Sequence, residues 1–260
     1  MNGRWKLLVP RVLLITLLIL SLLGNAGLVW RLRREYTSVQ MARVWPAGAT
    51  PAVQFAGPGR APADAVLLLG DSRVAEWGLP VAPPWPVLNA GAGGMTTAQL
   101  VLTAPEILDR TKPAIVVLQI GVNDLKVLGP RPEFRDAVIS GCVSNVAAVI
   151  QECRRRQVRV VLTTVWPAGE VSLARRLVWS GVVEDALDET NARLERQFAR
   201  QPGVIVTNLF RHLTMGTARR DRARFYRDTL HLQPEAYATL SKALAALLGE
   251  MAHAELPPNP

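Results

Sequence analysis

Four places in the chain bring together residue types that can do covalent chemistry. Ser72 lies in Gly70-Asp71-Ser72-Arg73, which ends the apolar run Ala65-Val66-Leu67-Leu68-Leu69. A serine just after a strand, at the start of a helix, meets free backbone N–H groups and a helix dipole that favour developing negative charge. The same residues also suit a plain helix cap. The strained Gly-x-Ser-x-Gly elbow is absent, because Val74 fills its last position. Asn89-Ala90-Gly91-Ala92-Gly93-Gly94 follows the run Val87-Leu88. It reads either as a loop whose amides approach a ligand closely or as an ordinary glycine-rich turn. It is no dinucleotide fingerprint, since Thr96 stands where the third glycine would be. Gly121-Val122-Asn123-Asp124 follows Ile120. The Asn123 amide can donate to an oxyanion, and a simple turn is the alternative. In Asp228-Thr229-Leu230-His231 an aspartate three residues before a histidine can fix the imidazole tautomer from one short loop. Of the three histidines, His212 reads as a surface or packing residue and His253 lies in the tail. No His, Cys, Asp or Glu group has ligand spacing, so neither metal nor cofactor is expected.

These residues need a scaffold that brings them together. Short apolar runs occur at 65–69, 87–88, 114–120, 158–165 and 204–207. Runs of this kind, bounded by turns, suit strands buried on both faces. Helical patterns lie between them at about 96–110, 133–156, 184–200 and 234–252. The second carries Val138, Cys142, Val146, Val149 and Cys153 at helical spacing. Strands alternating with helices predict βαβ units and a parallel sheet, with chemistry at the carboxyl ends of the strands.

The order and placement of the four segments resemble the GDSL, or SGNH, hydrolase family. The resemblance rests on Leu69-Gly70-Asp71-Ser72, on Asn89 to Gly94, on Gly121-x-Asn123-Asp124 and on Asp228-x-x-His231. It spans about residues 65–250. It implies a three-layer αβα, flavodoxin-like sandwich around a five-stranded parallel sheet. It implies Ser72 as nucleophile, His231 as general base and Asp228 as its orienter. The oxyanion hole would comprise the Ser72 and Gly94 backbone N–H groups and the Asn123 side chain. Arg73 departs from the leucine often found after the serine. Arg73 and Trp166 are taken as substrate contacts, with Trp179 and the run Arg219, Arg220, Arg222, Arg224 and Arg227 as further candidates. The activity implied is ester hydrolysis, on O-acyl groups of an envelope saccharide or on a lipid ester. An O-acyltransferase using the same site and a non-catalytic carbohydrate-binding or assembly protein are the alternatives.

The N-terminus makes a separate statement. Val12 to Trp30 is nineteen residues without a charge. At helical rise that is about 28 Å, close to the hydrocarbon core of a bilayer. An uncleaved anchor is expected, and a signal peptide cut near Gly24-Asn25-Ala26 is the alternative. A short basic tail favours a single-pass inner-membrane protein with its body outside the cytoplasm. The net charge of +9 invites a nucleic-acid reading. Six basic residues and no acidic ones fall within 1–34, however, and no nucleic-acid module accompanies them. The expected organisation is a tail and anchor over 1–34, a polar then Pro/Gly/Ala-rich linker over 35–64 whose first part, 35–44, can extend the anchor helix, a catalytic domain over 65–252 and a tail over 253–260. Oligomeric state is left open. Cys142 and Cys153, eleven residues apart on one helix, would lie about 16 Å apart, too far for a disulfide.

Overall fold

A computed structural model describes residues 4–46, 62, 64–78, 85–215 and 223–253. In chain order the elements are α1 (Arg4–Val44), β1 (Val66–Gly70), α2 (Ser72–Ala75), β2 (Val87–Gly91), α3 (Thr97–Thr111), β3 (Ile115–Gln119) and α4 (Val122–Leu125). There follow α5 (Arg135–Arg155), β4 (Arg159–Thr163), α6 (Gly181–Phe198), β5 (Val204–Thr207), α7 (Arg211–Thr214) and α8 (Pro234–His253). The five strands form one parallel sheet in the order β2-β1-β3-β4-β5. That is the doubly wound arrangement in which the strand order reverses beside β1.

Both faces of the sheet are covered, which is why its strands are continuously apolar rather than alternating. Leu67, Leu69, Val116, Leu118, Val160 and Leu162 face a core shared with α3, α5 and α6. Val66, Leu68, Ile115, Val117 and Val161 face a second core with α7 and α8. The α5 stripe Val138, Cys142, Val146, Val149 and Cys153 is buried as its spacing predicts, and both cysteines are free. Thr96 caps α3 in a reciprocal box. Its Oγ1 accepts from Gln99 N at 3.3 Å, and the Gln99 side chain accepts from Thr96 N at 3.1 Å.

The chain divides into two compact units, Met1–Val39 and Gln40–Pro260. The first is helical from Arg4 onward. Within Pro10–Val44 the most apolar eighteen residues have a mean hydropathy of 2.4, and the helix is long and apolar enough to cross a membrane. The expected boundary between anchor and linker at 34/35 does not coincide with a helix end, because α1 runs on to Val44. Its last turn belongs to the second unit. Val44 is buried in the core, Met41 packs against it, and the Trp45 ring meets Phe134 edge-on at 5.6 Å. The helix thus continues through the polar stretch 35–44, as that stretch allowed, and Gln40 and Val44 on it are buried. The Pro-rich stretch 47–61 lies outside the described residues, as does the tail 254–260.

Candidate active site

The strand order explains how distant segments meet. β1 lies between β2 and β3, so the loops leaving these three strands are neighbours at one end of the sheet. Ser72 follows β1, Gly94 follows β2 and Asn123 follows β3. Ser72 opens α2, whose N-cap is Asp71, with its carboxylate accepting from Arg73 N at 2.9 Å. Burial raises the pKa of Asp71, and the Arg73 charge opposes that rise. Gly121 caps α4 at φ +128°, a conformation that side chains disfavour. A Cβ there would stand 3.0 Å from Val165 Cγ2 and 3.2 Å from Cys142 Sγ.

His231 arrives from the loop before α8. Its Nε2 lies 2.9 Å from Ser72 Oγ, and its Nδ1 lies 2.7 Å from Asp228 Oδ2. The other carboxylate oxygen of Asp228 accepts from Leu230 N at 2.7 Å and His231 N at 3.0 Å, which closes the loop as an Asx turn. Burial works to raise the Asp228 pKa. Hydrogen bonds from the His231 side chain and from the His231 and Leu230 amides outweigh it and hold the group at about 2. Glu76 Oε1 stands 3.7 Å from His231 Nε2, and Arg227 grips both Glu76 oxygens at 3.0 and 3.1 Å. A cavity of about 810 Å³ opens beside them, lined by Glu76, Arg227, Leu232, Tyr237 and Lys242.

The three oxyanion candidates are differently prepared. Among the described residues, neither the Ser72 nor the Gly94 amide has a protein acceptor. The Asn123 side chain is held at both ends. Its Nδ2 donates to Met95 O at 2.9 Å, leaving one N–H, and its Oδ1 accepts from Lys126 Nζ at 2.7 Å. Lys126 is nearly buried, and desolvation, aided by the charges of Arg43 and Arg175, lowers its pKa to about 8. Asp124 is fully buried and accepts from Thr97 N at 3.0 Å and Thr97 Oγ1 at 2.6 Å, which ties the loop after β3 to α3. Burial raises its pKa to about 6. Sequence reasoning passed over Lys126. The available signal was its spacing, one helical turn beyond Asn123 and so on the same face.

Arg73 and Trp166 are not substrate contacts, because both are fully buried. Arg73 donates through Nε to Leu230 O at 3.0 Å, through Nη1 to Trp166 O at 2.5 Å and through Nη2 to Pro167 O at 3.0 Å. The guanidinium joins the loop after β4 to the loop that carries His231. The Trp166 ring packs edge-on against Trp77 at 5.4 Å. Trp179 is also buried and donates to Glu184 at 2.7 Å. Arg219, Arg220 and Arg222 lie outside the described residues, Arg227 is engaged by Glu76, and His212 is exposed on α7. Among the described residues no group of three or more His, Cys, Asp or Glu could hold a metal ion.

The comparisons bear on the family and the fold. The chain is 28% identical over 102 residues to an arylesterase of Vibrio mimicus. That match covers 34% of this chain and spans about half, 48%, of the relative. A GDSL-like lipase of Bacteroides thetaiotaomicron aligns over 84% of this chain and 98% of its own, at 18% identity and a TM-score of 0.55. A catalytic mutant of an acetylxylan esterase from Geobacillus stearothermophilus aligns over 73% and 95%, at 16% identity and a TM-score of 0.53. These structural likenesses speak for the fold. The pattern of one family matches residues 68–239, from within β1 into α8, and the chain belongs to the GDSL-like lipase/acylhydrolase family.

Proposed function

We propose that the chain is a serine esterase that hydrolyses carboxylic esters through an acyl-enzyme, held at the inner membrane by α1 with its body outside the cytoplasm. The observation that carries the reading is the 2.9 Å approach of His231 Nε2 to Ser72 Oγ, with Asp228 on the opposite ring nitrogen. Ser72 Oγ attacks the ester carbonyl carbon while its proton passes to Nε2. The carbonyl π pair moves onto oxygen, where the Ser72 and Gly94 amides and the free Asn123 N–H receive it. Collapse re-forms the carbonyl and expels the alcohol oxygen, which takes the proton from Nε2. Water then attacks the acyl carbon with His231 again as base, releasing the acid and restoring Ser72. Asp228, held at about 2, is ionised at any working pH and favours the imidazolium formed in each half.

An O-acylated envelope saccharide or a lipid ester is the substrate class. The apolar helix supports that choice, since a catalyst kept at the membrane meets such esters. The test is pre-steady-state release of p-nitrophenol from p-nitrophenyl acetate by the full chain. A burst equal to the enzyme concentration, lost in Ser72→Ala, is expected. A folded wild-type chain that releases nothing above solvent would leave a binding protein in place of an enzyme.

A further inference from the structure

The last turn of α1 reaches the oxyanion loop. Arg43, on that turn, has its Nη1 2.6 Å from where a Cβ on Gly94 would stand, and among the described residues the three nearest atoms beyond its chain neighbours all belong to that guanidinium. Gly94 has φ +72°, so glycine is favoured there by conformation as well as by the guanidinium over it. The turn is fastened in place, because Thr96 Oγ1 donates to Arg43 O at 2.8 Å. Lys126 adds a second cation beside Asn123, which it holds at 2.7 Å, and Arg175 lies within electrostatic reach of it. The charges of Arg43 and Arg175 both act on its ammonium.

Like charges gathered this way repel, and proteins ordinarily interleave them with carboxylates. Here two buried acids, Asp71 and Asp124, oppose these charges at the Lys126 ammonium, but neither pairs with a guanidinium of Arg43 or Arg175. Asp124 serves Thr97 and Asp71 serves the Arg73 amide. Among the described residues neither the Arg43 nor the Arg175 guanidinium makes an ion pair. Both side chains are half-buried, which partly removes the water that would otherwise screen them. Oxyanion donors alone need no such cluster, since the charge they receive is transient and already has three donors.

We infer that Arg43, Arg175 and Lys126 form an anion subsite beside the oxyanion hole, which selects esters carrying a negatively charged group close to the scissile carbonyl. The inference rests on the esterase reading above and names the substrate class for that same site. The anion is a carboxylate or phosphate of the substrate. Arg43 and Arg175 supply the forked donors that such groups accept.

The experiment compares matched esters with the full chain in a neutral detergent. On the acyl side, p-nitrophenyl monosuccinate is set against p-nitrophenyl butyrate. On the alcohol side, 4-acetoxybenzoate is set against 4-acetoxybenzamide. In at least one pair the charged-to-neutral ratio of kcat/KM falls about tenfold or more in Arg43→Gln, the size expected when one charged hydrogen bond is lost. The loss lies mainly in KM, because the anion is held alike in ground and transition states. Arg43→Lys recovers part of it, and Arg175→Gln repeats it from a residue outside the oxyanion loop. The pair that responds tells which side of the ester carries the charge. An unchanged ratio in both pairs, in both Gln variants, overturns the subsite while butyrate turnover leaves the esterase reading standing. A change in vesicle binding without a change in either ratio would also overturn it, assigning Arg43 to lipid headgroups. Absence of turnover of every ester overturns both readings.

Discussion

Arg73 donates to the carbonyl of Leu230 at 3.0 Å, so the residue after Ser72 holds the residue before His231. Ser72 and His231 are 159 positions apart, and this buried bond fixes one relative to the other. Further bonds fasten the same loop to the segment after β4. Gly169 N donates to Thr229 O at 2.8 Å, and Thr229 Oγ1 donates to Glu170 O at 3.0 Å. Arg73 is therefore a positioning residue.

Arg73→Leu leaves the carbonyls of Leu230, Trp166 and Pro167 without its donors. A buried acceptor left unpaired costs about 1–3 kcal/mol. Pro167 O keeps Tyr226 Oη at 2.6 Å, so two groups bear most of the loss. Urea denaturation should show a drop of roughly 2–6 kcal/mol, and esterase activity should fall further than the folded fraction does. Wild-type activity in the folded variant would contradict the positioning role.

Lys126→Met releases Asn123 Oδ1 while keeping the length of the side chain. Loss of a whole oxyanion donor, as in Asn123→Ala, should cost about a hundredfold or more in kcat. Lys126→Met should cost less, about tenfold, because the amide remains but is no longer oriented. A loss in Lys126→Met as large as in Asn123→Ala, or none, would sink this division of roles.

The same lysine carries a pH signature. Its folded pKa of about 8 lies below the ordinary 10.5, so between these values the unfolded chain binds more protons. Stability contributed by this group therefore rises as pH climbs from about 8 to 10.5, and below 8 its full cost is present. Unfolding free energies of wild type and Lys126→Met, taken from pH 7 to 10.5, should converge toward the alkaline end once the constant hydrogen-bond difference is subtracted. A difference that is flat with pH would show that the lysine is not desolvated.

Asp228→Asn removes the carboxylate 2.7 Å from His231 Nδ1. The maximal rate should fall by on the order of 10⁴, as expected when a triad base loses its orienting acid. Asn123→Ala should cost less, about a hundredfold or somewhat more. Steady-state kcat of the two variants checks both, and a larger loss in Asn123→Ala would reverse the ranking.

A chain starting at Gln40 should be more stable than one starting at Asp64. The shorter chain loses Val44 from the core and the Trp45–Phe134 contact. Burial of one valine and one edge-on aromatic pair together amount to about 2–4 kcal/mol. In a domain of this size the difference is roughly 5–10 °C in Tm. Full-length protein should also stay with membranes through an alkaline carbonate wash.

The sheet, and the meeting of Ser72, His231 and Asp228, were readable because each left a local mark. Continuous runs such as Val66–Leu69 read as doubly covered strands, and the functional residues follow strand ends where doubly wound folds keep their chemistry. Arg73 was misread because a charge next to a nucleophile suggests a ligand contact. Its partners are backbone carbonyls some 93 to 157 positions away, which carry no residue signature at all. Arg43 was invisible for a related reason. Its helix reads as an anchor from composition, and only packing reveals that the last turn belongs to the second unit.

The strand order β2-β1-β3 divides the site into parts of unequal mechanical strength. The proposed nucleophile Ser72 and the proposed oxyanion donors Gly94 and Asn123 each follow a strand locked in register with its neighbour, Gly70 against both Gly91 and Gln119. They separate only if the centre of the sheet opens, which is an event on the scale of global unfolding. The base has no strand of its own, and it stays in place through Arg73 and a few loop bonds. On warming, the protein should lose its proton carrier first and keep an intact, charge-stabilising cradle. Heat inactivation would then precede melting, and would reverse on cooling while the sheet remains whole.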